Sequence, residues 1–278
     1  MKNWRSFTGI LRSTILALIM LGLVSVGSFE GLERATLFMR LQWRGPRPVS
    51  PSVLVIAIDE PSLAQWGQFP WDRRVYGKLL ERLGQAKAVA FDIAFNEPGR
   101  HPGEDEELAR TMIRKPVILP IYRAYGSGES DHVELQVPLS LYRKSAQALG
   151  IIQFSPRQES PLLAFHPVQH QNQAVFPSMA LAMARLGGHG SSEPFYLNYP
   201  GPARSYPILS FKEALSLPLE TFKNKYILVG ATAAGLPETG YQTPFPEKGP
   251  IAGVELHAIA LGNLLEGNGI KRLPPFLD

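Results

Sequence analysis

Asp59 and Glu60 stand directly after the apolar run 53–58, Asp92 lies near the end of the run 89–93, and Thr232 follows the run 226–229 and Gly230-Ala231. A short apolar run that stops at a polar residue is the trace left by a strand buried on both faces. In an open parallel sheet, ligands bind outside the carboxyl ends of the strands, so Asp59, Asp92 and Thr232 are where chemistry is to be sought. Asp59 and Glu60 can accept hydrogen bonds from a polar ligand or coordinate a cation, with Asp92 contributing from the next strand. Taken singly, each acid serves equally well as the cap of the turn that follows it, because Asp readily satisfies backbone donors.

Two further groups could reach such an opening. The segment Pro70-Trp71-Asp72-Arg73 supplies an indole for stacking and a guanidinium for anion recognition, while packing of Trp71 and pairing of Arg73 with a carboxylate are the competing roles. His257 is expected on the polar side of the last helix, able to ligate, titrate or bind a partner, or to be a plain surface or structural group. The metal, if any, is left unassigned, and no cofactor is expected. The chain has no Gly-x-Ser-x-Gly elbow, no phosphate-binding Gly-x-x-x-x-Gly-Lys loop, no His-Glu-x-x-His pair and no Gly-x-Gly-x-x-Gly fingerprint. Asp59 and Thr232 after separate strands suggest a phosphotransfer hydrolase, but Asp59-Glu60-Pro61 lacks a second aspartate two positions on. Catalysis is not expected, and a hydrolase built on the strand-end acids is the alternative.

The elements that must position these groups alternate. After the helix-stopping linker 44–51, rich in proline and glycine, the run 53–58 reads as a central strand. Val75, Leu79, Leu80 and Leu83 give one apolar helical face before the strand 89–93; a helix at 104–113 then leads into a strand at 117–121. This alternation predicts an α/β fold with a mostly parallel central sheet flanked by helices. The middle is less regular: a loop at 126–131, a strand at 150–154 and an irregular or hairpin stretch at 156–173. A helix over 177–186, a strand at 195–199, a short helix at 210–215 and a strand at 226–229 follow. Val254, Ala258, Leu261 and Leu265, spaced at i, i+4, i+7 and i+11, mark the core face of the last helix.

Ahead of this body, residues 13–29 carry no charge and reach the lower limit for crossing a bilayer. A retained transmembrane helix over 13–30 is expected in preference to a cleaved signal peptide, because the apolar run exceeds the usual ~7–15 residues of a signal and a helical pattern continues into a stalk. The tail 1–12 is expected in the cytoplasm, residues 31–51 as stalk and linker, and 52–275 as the main domain outside the membrane. Charge follows the same division. Residues 1–47 hold seven basic and two acidic groups, for +5, and the remainder nets −1. A near-neutral body behind a basic, apolar segment fits anionic headgroups and excludes a nucleic-acid stripe. With no cysteine, the chain has no disulfide framework and no thiol chemistry.

The segments Val55-Ile56-Ala57-Ile58-Asp59-Glu60-Pro61-Ser62-Leu63, Phe69-Pro70-Trp71-Asp72-Arg73, Phe91-Asp92-Ile93-Ala94-Phe95-Asn96-Glu97-Pro98, Ile227-Leu228-Val229-Gly230-Ala231-Thr232, Thr243-Pro244-Phe245 and Gly253-Val254-Glu255-Leu256-His257-Ala258, together and in order, resemble the CHASE2 family. Two departures stand out: 158–165 lacks the family's Asp-Gly turn and following arginine, and 237–240 lacks its usual acidic residue. The resemblance implies a periplasmic or extracellular sensor of a bacterial cyclase or kinase receptor, acting as a homodimer and driven by an unknown small molecule or protein. It also implies that residues 276–278 begin a further membrane region leading to an output domain absent from this chain, which reads as a receptor fragment or stand-alone sensor. A structural or dimerising module without a small ligand is the competing reading.

Overall fold

In the computed structural model, residues 12–15, 30–125, 133–154, 164–171, 174–236 and 240–271 are described, and the chain divides into two units, Met1–Gly45 and Pro46–Asp278. The first unit is helical at 12–15 and along α1 (Glu30–Arg44), the expected stalk. α1 ends where Gly45 takes φ +72° and donates its N–H to the carbonyls of Leu41 and Gln42, a conformation glycine adopts without a Cβ penalty. Among the described residues no helix is long and apolar enough to cross a membrane; the span expected over 13–30 lies at 16–29 outside them.

The second unit runs β1 (Val53–Ile58), α2 (Glu60–Trp66), α3 (Arg73–Arg82), β2 (Ala88–Asp92), α4 (Glu104–Met112), β3 (Val117–Tyr125), β4 (Val133–Gln136), α5 (Ser140–Ser145), β5 (Ala148–Ile151), β6 (Ala164–Phe165), β7 (Val168–Gln171), β8 (Ala174–Pro177), α6 (Met179–Leu186), β9 (Phe195–Tyr196), β10 (Ile208–Ser210), α7 (Phe211–Ala214), β11 (Tyr226–Ala231) and α8 (Gly253–Glu266). One seven-stranded sheet has the order β10-β1-β11-β2-β3, with β5 parallel and β4 antiparallel on β3. Every pairing in it except β3–β4 is parallel, as the alternation of elements predicts.

Strand alternation sorts the core. Leu54, Ile56, Ile58, Val89, Phe91, Val117, Leu119, Ile227 and Val229 face a cluster closed by Leu79 and Leu80 of α3, Leu108 and Met112 of α4, Tyr142 of α5 and Phe211 of α7. The opposite face carries Val55, Ala57, Ala90, Ile118 and Leu228, and there α6 and α8 pack directly on the sheet. A Cβ at Gly150 would come within 2.5 Å of the Met179 Cα, and one at Gly230 within 2.7 Å of the Val254 Cβ, so both glycines are set by helix approach. The crossovers through α3, α4, α5 and α7 advance one way across the sheet on one face. The return from β5 to β10 carries α6 on the other face, which keeps a single crossover hand.

Several boundaries differ from the sequence expectation. The helix expected from residue 177 starts at Met179, because Ser178 is the cap whose Oγ accepts from Leu181 N and Pro177 closes β8. The strand expected at 195–199 shrinks to β9, and β5 lies two residues earlier than expected and ends before Ile152. The stretch 156–173, expected as irregular or hairpin, holds β6 and β7, and β7 pairs with β8 just beyond it, while 155–163, 172–173 and the expected loop 126–131 lie outside the described residues.

Candidate functional site

Asp59 closes β1 and caps α2. Its Oδ1 accepts from Ser62 N at 3.1 Å, Ser62 Oγ at 2.5 Å and Ser210 Oγ at 2.9 Å, fastening the end of β1 to the start of α7. Glu60 is exposed and accepts from Ala234 N at 3.0 Å, and Thr232 N bonds back to Ile58 O. Strand ends carrying Asp59, Thr232 and Asp92 therefore do lie side by side across β1, β11 and β2. The cation reading does not follow: among the described residues no three His, Asp or Glu side chains are grouped to hold a metal.

Trp71 and Arg73 are the second correction, since neither borders an opening. Trp71 is buried, stacked on Tyr76 and edge-on to Phe211, with Nε1 donating to Gly67 O. Arg73, also buried, lies over Phe95, reaches Asp105 at 3.4 Å and donates to Glu97 O. Around it, Glu104 accepts from Arg73 N and His101 N, and Asp105 from Gly99 N and the Tyr142 hydroxyl. Such a web lets charges be buried by giving each a partner. It pins the segment 97–104 that follows β2.

His257 is the third correction. The last helix has no polar side there: residues 253–264 are all buried, and His257 is 1% exposed. Its ring stacks on Phe154 with centroids 4.4 Å apart, and neither ring nitrogen has a hydrogen-bond partner among the described residues. Burial drives its pKa from 6.5 down to about 3, so the ring is neutral.

A cavity of about 240 Å³ opens beyond the carboxyl ends of β2, β3, β5 and β11, lined by Phe69, Asp92, Ile93, Ala94, Tyr122, Ile152, Gln153 and Ala231. Burial, then the charge of Glu97, raises the Tyr122 phenol above its usual pKa, so it stays protonated and can donate. Gln153 is fixed in place: its Oε1 accepts from Arg123 N at 2.9 Å and its Nε2 donates to Arg123 O at 3.4 Å. The result is an apolar pocket with a carboxylate and a phenol at defined positions, the usual make-up of a small-molecule site.

The family model for the CHASE2 domain matches residues 14–277, spanning the sheet, both helical layers and this cavity. The chain belongs to the CHASE2 family. CHASE2 domains are extracytoplasmic sensory domains, not catalytic ones. No curated protein and no solved structure matches the chain.

Of the seven residues that sequence reasoning selects, this CHASE2 domain brings only Asp92 into the cavity wall. Phe69, Tyr122 and Gln153 were missed. Phe69 sits in the same motif as Trp71 and Arg73, and apolar character gave no way to tell which aromatic faces outward. Tyr122 lies in the part of β3 beyond the expected strand end, and Gln153 in what the sequence presents as strand interior.

Proposed function

We propose that the chain is the extracytoplasmic sensory part of a bacterial transmembrane receptor, with a small stimulus received in the cavity at Asp92. The span 13–30 holds it in the inner membrane, the body lies in the periplasm, and a cytoplasmic output domain reads the result. The cavity itself carries this reading: it lies where open parallel sheets bind ligands, and its rim joins Phe69, Asp92, Tyr122 and Gln153 from four separate segments. Any shift that narrows it moves several strand ends at once. A stimulus drives signalling only if it binds one arrangement of the domain better than another.

A thermal-shift screen of the full chain in detergent against metabolites, sugars, nucleotides and divalent ions tests this. Ligands are expected to raise the melting temperature of the parent chain, and the rise should vanish in Phe69→Ala and Asp92→Asn while both variants still melt cooperatively. A library without any active compound would remove the small-ligand reading and leave a dimerising, protein-binding module.

A further inference from the structure

Among the described residues that line the cavity at Asp92, the one charged side chain is Asp92 itself, and no Lys, Arg or His stands in the wall. Arg123, next to Tyr122 along β3, alternates to the other side of the strand and is buried there. The wall has two aromatic rings: Tyr122, and Phe69 held edge-on against Trp71 with centroids 6.1 Å apart. Its one amide, Gln153, is engaged by the Arg123 backbone and carries no charge.

These features together favour a cation. Asp92 is in register with Gly230 of β11, and a Cβ at Gly230 would come within 3.1 Å of the Asp92 Cβ, so the neighbouring strand sets where the carboxylate stands. A carboxylate offers about four lone-pair sites, so a hydrogen bond that orients Asp92 within the domain leaves others for a ligand. Burial, then the charge of Glu97, raises the Tyr122 phenol, so the field of a second carboxylate reaches the same wall. An aromatic face adds attraction for a cation through its quadrupole. In a partly enclosed, apolar site these attractions are screened less than in water, and the apolar wall favours a hydrocarbon body behind the charge.

We infer that the cavity selects a small organic amine, with Asp92 receiving the ammonium group, the rings of Phe69 and Tyr122 available to the cation, and Ile93 and Ile152 covering the hydrocarbon. This rests on the reading of the cavity as the stimulus site and adds to it the charge of the stimulus. An organic anion of the same shape would meet Asp92 as a like charge, and a neutral alcohol would keep a hydrogen bond to Asp92 but lose the charge that strengthens it.

The test is a calorimetric titration of the full chain in nonionic detergent with two matched series of probes. One is phenethylamine, 2-phenylethanol and 3-phenylpropanoate; the other is isopentylamine, isopentanol and 4-methylpentanoate. At least one amine is expected to bind saturably, about tenfold or more tighter than its alcohol, the difference a charged hydrogen bond supplies, and the carboxylates are expected not to bind. Asp92→Asn should bring the amine down to the level of its alcohol, and Phe69→Ala should weaken it several-fold. The comparison of amine with alcohol is made on the parent chain, so it holds whether or not Asp92→Asn folds. An alcohol or carboxylate bound as tightly as its amine, or an amine preference that survives in folded Asp92→Asn, overturns the amine inference. Binding that still falls in Phe69→Ala would then keep the cavity as a site for another chemistry. No binding by any probe overturns the inference as well; compounds from the broad screen whose effect is lost in Phe69→Ala would leave the stimulus reading standing, and their absence would remove both.

Discussion

At the scale of single residues, the acids that look most reactive in the sequence are mostly occupied by the fold. Asp59 is an N-cap that also fastens Ser62 to Ser210, so Asp59→Ala is expected to cost about 2 kcal/mol through the lost cap and one hydroxyl donor left without an acceptor, since the Ser62 and Ser210 oxygens, 3.1 Å apart, can satisfy only one donor between them. Thermal unfolding should show this with or without a stimulus present; an unchanged melting temperature would contradict the assignment. His257 gives the domain an acid sensitivity of definite sign. With its folded pKa depressed to about 3, the ring is neutral in folded and unfolded chains above pH 6.5, and stability there is unaffected. Below 6.5 the unfolded chain takes up a proton that the folded chain refuses, so stability falls by about 1.4 kcal/mol per pH unit until about pH 3. Between pH 8 and pH 5 the loss is about 2 kcal/mol, and His257→Phe should abolish it. Denaturant melts of both proteins at the two pH values measure this, and parallel pH profiles would refute it.

Among the elements, the two helical layers meet the sheet on different terms. α3, α4, α5 and α7 rest on large side chains that can repack, whereas α6 and α8 approach the backbone where Gly150 and Gly230 leave room. Gly150→Ala sets a methyl against the Met179 main chain, which cannot swing aside as a side-chain end can. It is expected to destabilise by about 3 kcal/mol or to prevent folding, whereas Gly77→Ala, in the middle of α3 with the nearest atom 4.0 Å away, is expected to stabilise by about 0.5–1 kcal/mol through helix propensity. Comparing soluble yield and unfolding midpoints of the two variants checks the contrast, and similar behaviour would mean that α6 is free to shift. Since β5 leads directly into Ile152 and Gln153, that shift would also reshape the wall of the cavity at Asp92.

For the molecule as a whole, the division at Gly45 predicts that a chain beginning at Pro46 folds by itself. Its calorimetric and van't Hoff unfolding enthalpies should agree, as they do for a single cooperative unit. A calorimetric value well above the van't Hoff one would mean that the body is itself several units. Two of its cavities lie at opposite ends of the same strands, the one at Asp92 being proposed for a stimulus. β2 and β11 reach both: Asp92 and Ala231 at one end, and at the other Tyr226 and Lys87, the residue just ahead of β2.

Periodicity and punctuation by themselves determined that β1, β2 and β11 are buried strands, that helices alternate with them and that the sheet is largely parallel, because burial on both faces forces unbroken apolar runs. Ordered motifs were enough to point to the family. Strand order was left to the tertiary structure: β11 inserts between β1 and β2, and nothing local distinguishes one buried apolar strand from another. The fate of each polar or aromatic side chain was decided there too. Trp71 and Phe69 are two residues apart and equally apolar, yet one is buried at 5% exposure and the other lines a cavity. His257 looks like a polar residue on an amphipathic helix until packing buries every residue of α8 from Gly253 to Leu264. Which groups are capped, paired or left open depends on neighbours distant in the chain, as Ser210 is from Asp59, and that information exists only once the strands are placed.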